Sequence, residues 1–199
     1  MNEFLKLEYE QCMALVKYYD ERYHTLVKFA AGLSRGVPTL LLGFFGLDDK
    51  VTAVFWNVAA FVFLVTMIGL VSILAAITQT RLYFVYPARQ LNAIRGEFLR
   101  TEAKEFANIN QMYLDTSFNA FRWNSSHTIQ QAMVALQIGL FAGLSSFAWN
   151  IAEPDRTRNI CVGSIVDIVV AITMFLLSAG YLWRKSQYHP DGSALQRKE

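Results

Sequence analysis

The sequence predicts an all-α membrane protein, with four transmembrane helices in two hairpins and an amphipathic cytoplasmic helical bundle. Three observations predict it. Of 199 residues, 54% are apolar and 17% charged, against about 45–50% and about 25% in soluble domains. With a mean hydropathy of +0.26, the chain has more apolar surface than a small core hides and needs a second apolar solvent. Long stretches without charge recur along it, and Lys and Arg are sorted to one side of those stretches. The net charge of +2 excludes a strongly basic protein that coats nucleic acid.

Residues 1–28 repeat apolar or aromatic side chains at Leu5, Tyr9, Cys12, Val16, Tyr19, Tyr23 and Leu26, continuing to Ala30. This 3.5-residue period predicts a cytoplasmic amphipathic helix packed along its length on another helix, of the same chain or of a neighbouring copy. In the second case Tyr9, Val16, Tyr19 and Tyr23 form an oligomer seam. No apolar core or small-residue cleavage site in these residues marks a secretory signal.

The first hairpin covers residues 29–80. Its opening span, Phe29 to Leu47, includes Arg35 and Pro38. An arginine near a helix end extends its head to the interface, and proline is tolerated where neighbouring helices cover the freed carbonyl. Its second span lies within Val51 to Thr80, thirty residues without a charge, where about 20 suffice to cross.

Residues 81–126 read as a cytoplasmic helical segment. Tyr86-Pro87 should kink or end the preceding helix, and Asn108 and Asn110 suggest a break between helical pieces. Apolar residues from Leu91 to Phe121 recur at roughly helical spacing. The second hairpin covers 127–183, with Met133 to Ile151 as the third span and Ile160 to Trp183 as the fourth. Residues 184–199 form a tail. Fifteen Lys and Arg fall on the side of the termini and middle segment, and three (Lys50, Arg156, Arg158) fall in the short loops. The positive-inside rule then places both termini in the cytoplasm.

Few residues carry chemistry. Asp167 is the main intramembrane acid, about 10 Å from the outer end of its span, and should face a bundle interior, water or a partner. Gln130, Gln131, Gln137, Ser145 and Ser146 make the third span the most polar. Asp167, Gln130, Gln137 and Ser145 are therefore the candidate pore-lining set, with close packing at Gly139 and Gly143 as the competing use of that helix. Arg81, Arg89, Arg95, Arg100 and Arg122, interleaved with Tyr83, Tyr86 and Trp123, form a candidate anionic-ligand site, or anchor the chain to anionic headgroups. Tyr23-His24-Thr25-Leu26 is echoed by Ser126-His127-Thr128-Ile129, and Leu33 and Gly36 by Leu136 and Gly139, at an offset of 103. That pattern suggests a parallel repeat. Cys12 and Cys161 are read as unpaired, and no metal-ligand cluster, cofactor motif or catalytic constellation emerges. The chain is therefore not expected to be an enzyme.

In overall plan, with hairpin spans joined to short cytoplasmic helices bearing Arg81, Tyr86, Arg89 and Arg95, the chain resembles the small helical membrane effectors of bacterial antiphage operons. The resemblance implies a homo-oligomeric pore in the bacterial inner membrane. It would be gated from the cytoplasm by an anionic nucleotide or oligonucleotide, or by an operon-encoded partner protein. Three alternatives compete: a non-channel adaptor that binds a cytoplasmic partner, an exporter with Asp167 as proton site, and an RNA-cleaving enzyme. The last rests on Arg122 and His127, whose Arg-x-x-x-x-His spacing resembles helical bacterial ribonuclease domains.

Overall fold

The computed structural model describes residues 3–45, 53–101, 114–117, 119–152 and 160–187. Four helices account for most of them: α1 (Glu3–Phe45), α2 (Ala53–Thr101), α3 (Ser126–Ala152) and α4 (Ile160–Lys185), with no strand among the described residues. Of these, α2, α3 and α4 are long and apolar enough to cross a membrane. Helix α1 does not meet that measure among the described residues. Its cytoplasmic-type heptads and its apolar stretch nevertheless form one continuous helix through Pro38.

Of the kink or end expected at Pro87, the end does not occur, since α2 runs on as helix from Ala53 to Thr101. Proline removes one donor and displaces one carbonyl, and the turns on either side of it are tied to other elements. Tyr86 Oη donates to the Lys185 carbonyl and Asn92 Nδ2 to the Asp115 carbonyl. The expected helix between Asn110 and the third span is also corrected. Residues 114–117 and 119–125 are irregular, and Asn108 and Asn110 lie outside the described residues.

Each helix packs on its neighbour in sequence, and among the described residues α1 and α4 make no contact. The helices therefore form an open row with α2 and α3 at its centre. Helices α2 and α3 are antiparallel, as Gln131 Nε2 donates to Thr78 Oγ1 (3.4 Å) and Ser145 Oγ to the Ala60 carbonyl (2.9 Å) at the two ends of their contact. The central core joins Tyr23 and Ala30 of α1, Leu70, Ile73 and Ile77 of α2, and Ile138 and Phe141 of α3. A second cluster, Leu41, Ala59, Ala60 and Ala148, closes the opposite end.

Outside this core the pattern inverts. Ile129, Met133, Leu136 and Leu140 form an exposed apolar stripe on α3, and Ile165, Ile168, Ile172 and Leu176 do so on α4. Stripes of this kind fit lipid as solvent, where apolar side chains need no core to hide them.

Candidate functional site: a buried polar level and the junction beneath it

Asp167 lies against the backbone of α3 at Gly139. A Cβ placed on Gly139 would stand 2.4 Å from the Asp167 carbonyl oxygen, 2.8 Å from Asp167 Oδ1 and 2.8 Å from Ala171 Cβ. Only glycine admits so close an approach of α4. Asp167 Oδ1 is buried there without a hydrogen-bond partner. Gln137 Oε1 and Ser34 Oγ are in the same condition, and no other buried side-chain polar atom among the described residues is.

Counted along their helices, the three residues lie at similar heights, although Ser34 on α1 and Asp167 on α4 belong to helices that do not touch among the described residues. Tyr23 Oη of α1 donates to the His127 carbonyl at the start of α3 (2.8 Å). From that contact Ser34 lies 11 residues along α1, and Gln137 and Gly139 lie 10 and 12 along α3. At 1.5 Å per residue all are about 15–18 Å above the junction. A buried oxygen without a donor loses its hydration with no return, which favours a water or a cation at that place.

The junction itself draws on three helices. Tyr23, 1% exposed, meets the His127 ring in a tilted contact at 4.5 Å, and Phe84 of α2 lies tilted beside the same imidazole at 6.1 Å. Asp20 Oδ1 is 3.8 Å from His24 Nε2 and 3.9 Å from His127 Nε2, so one carboxylate serves both histidines of the echoed sequence motif. The equivalence stops further along, because a Cβ at Gly36 meets nothing within 4 Å while one at Gly139 meets backbone. Burial drives the Tyr23 hydroxyl above the usual phenol range, although the Arg81 charge opposes it.

Arg81 stands just beyond the charge-free stretch that ends at Thr80. Burial, reinforced by the neighbouring Arg122 charge, lowers its guanidinium to about 10, which leaves it charged at neutral pH. Its Nε donates to the Ala120 carbonyl (3.2 Å), and its head lies 5.0 Å from the Phe84 ring. The irregular segment before α3 is thus held from several sides. The Ala120 amide donates to Ser186 Oγ (3.0 Å), and the Asp115 carboxylate accepts from the Ser117 amide and hydroxyl. Although burial raises the Asp115 carboxyl, these bonds bring it below its ordinary value.

The five arginines expected to form one ligand site are not gathered. Arg81 is buried in the junction, and Arg89 donates to the Ser186 carbonyl at the end of α4. Arg95 binds Tyr9 Oη (3.3 Å) and lies over its ring, while Arg100 forms a bidentate pair with Glu97 three residues back. Arg122 is exposed on the turn before α3 with Trp123, beside an open cavity lined by Arg122–Ser125. Positive charge on neighbouring turns of a helix does not converge unless the helices bend toward one another, and α2 stays continuous.

The face offered as an oligomer seam packs on α2 within the chain, the other use that its period allowed. Tyr23 is in the core, Tyr19 packs on Tyr83 (6.0 Å), Tyr9 meets Arg95, and Val16 is half-buried on the same face. The 3.5-residue period is satisfied by α2 of the same chain. Cys12 on this face is buried, and burial together with the Glu8 carboxylate raises its thiol, so it is a packing residue.

Of the expected pore-lining residues, Asp167 and Gln137 belong to the buried polar level. Ser145 bonds the Ala60 carbonyl across α2–α3, and Gln130 is half-buried. Sequence reasoning missed Ser34, Asp20, Asn92 and Ser186. Asp20 had a signal, since it sits four residues before His24 on the heptad helix; the other three had none. Among the described residues no group of three His, Cys, Asp or Glu could hold a metal ion. No protein-family model, curated protein or solved structure matches this chain.

Proposed function

We propose that the chain is the subunit of an oligomeric channel in the bacterial inner membrane. It would cross four times, with both termini cytoplasmic, and pass a cation or proton by way of Asp167. The observation that carries this reading is the level of unpartnered buried oxygens at Ser34, Gln137 and Asp167. Intramembrane acids without a fixed partner mark ion or proton paths. The open row supports the oligomer, since α1 and α4 do not meet to close a path within one chain.

Gating from the cytoplasm is proposed through the junction, where Tyr23, Arg81 and His127 join the extended α1 and α2 to α3. For an anionic nucleotide or oligonucleotide signal, as the resemblance to antiphage effectors implies, the contact to test is Arg122 beside the exposed Trp123. The second reading is a membrane adaptor, favoured by the exposed Phe4, Leu7, Leu15 and Tyr18 on the N-terminal part of α1. Single-channel recording in a planar bilayer, with and without cyclic nucleotides and short oligonucleotides on the cytoplasmic side, tests the first against the second. The channel reading expects discrete currents whose amplitude or selectivity changes in Asp167→Asn. Silence from folded, inserted protein under every ligand, or currents identical in Asp167→Asn, would overturn it.

A further inference from the structure

Helices α2 and α4 run in the same direction and are tied at one end, where Tyr86 and Arg89 reach the carbonyls of Lys185 and Ser186. Beyond these ties they part, leaving an open groove of about 270 Å³ between them. Its lining is mostly apolar, with Val71, Leu74, Met174 and Leu177 along the walls; at the end nearer the ties Gln79 and Tyr181 are exposed, while the buried Thr78 and Ser178 hydroxyls donate to the Leu74 and Phe175 carbonyls. Tyr181, Arg184 and Lys185 lie one turn apart on one helical face, and both cations are exposed.

We infer that this groove holds one acyl chain of an anionic phospholipid, with its headgroup on Arg184 and Lys185. Polarity and charge follow the order of the molecule: apolar wall for the chain, hydroxyl and amide at the depth of the ester groups, and two cations at the depth of the phosphate. The lining from Val71 to Gln79 extends about 12 Å along α2, long enough to take a stretch of acyl chain. The floor of the groove also connects to the centre of the bundle, because Thr78 accepts from Gln131 of α3. Only the leaflet, the cytoplasmic one, rests on the proposed orientation; the ligand class does not rest on channel activity.

Native mass spectrometry of the full chain, released from detergent after exchange with phosphatidylglycerol or phosphatidylcholine, tests this directly. The wild type should retain one phosphatidylglycerol per chain, preferred over the zwitterionic phosphatidylcholine by about tenfold or more, as two cations near a headgroup of net negative charge supply. Arg184→Gln with Lys185→Gln should level the two lipids while keeping occupancy. Ala75→Trp, which fills the groove from an exposed lining position, should lose both; Ala75→Leu repeats the test if the larger residue prevents folding. Equal retention of both lipids by the wild type would overturn the proposal. So would undiminished retention by the folded groove-filling variant, or a variant that splits an oligomer with its lipid count unchanged, which would assign the groove to a second copy.

Discussion

Gly139 and Tyr23 hold the two places where α3 meets its neighbours most closely. Gly139→Ala puts a methyl group within 3 Å of the backbone and Cβ of α4, and backbone yields less than a flexible side chain. It should destabilise the protein by about 1–3 kcal/mol, measured as a lowered Tm in detergent. Gly180→Ala, where an added Cβ meets nothing within 4 Å, should be neutral or stabilising by up to about 1 kcal/mol through helix propensity. Tyr23→Phe removes the bond to the His127 carbonyl and should cost about 0.5–1.5 kcal/mol, read in the same melt. Asp167 and Gly139 were each visible in the sequence as an intramembrane acid and a small residue. Their meeting was not, since the α3–α4 register depends on packing that no local pattern encodes. Ser34 was invisible for a similar reason: a serine in an apolar helix normally bonds its own backbone, and only tertiary burial shows that this one does not.

At the scale of the element, hydrophobic length and period located all four helices. What periodicity could not supply was the behaviour of Pro87 and of residues 114–125. Both depend on side chains distant in sequence, with Arg81, Asn92 and Ser186 satisfying backbone groups that a helix would otherwise satisfy internally. An apolar residue at helical spacing, such as Phe121, can therefore sit in irregular chain when outside partners meet the backbone's needs. Arg81→Ala removes a charged donor from the Ala120 carbonyl, at a cost of about 1.5–3 kcal/mol. Amides of residues 119–125 should then exchange about tenfold faster or more, while those of the α3 centre stay unchanged. Uniform acceleration across α3 would instead mean that Arg81 supports the whole bundle.

For the whole molecule, the side of the membrane occupied by α1's first turns decides between three crossings and four. In a chain with Cys12 and Cys161 replaced by Ser, Lys6→Cys and Lys50→Cys should label from opposite sides with a membrane-impermeant maleimide. Labelling from the same side would mean that α1 does not cross. Lys/Arg asymmetry predicts four crossings without any knowledge of packing, because it reports on insertion, whereas the partner of each helix face was beyond its reach: the heptad stripe of α1 met α2 of its own chain. The unbroken course of α2 has a mechanical consequence. Forty-nine residues make a rod about 73 Å long, more than twice the depth of the hydrocarbon layer, with Arg81 near its midpoint. Because the helix is not ended at Pro87, its apolar turns and the turns beyond Arg81 belong to one element, and a shift imposed near Thr101 is passed on through hydrogen-bonded backbone rather than across a loop.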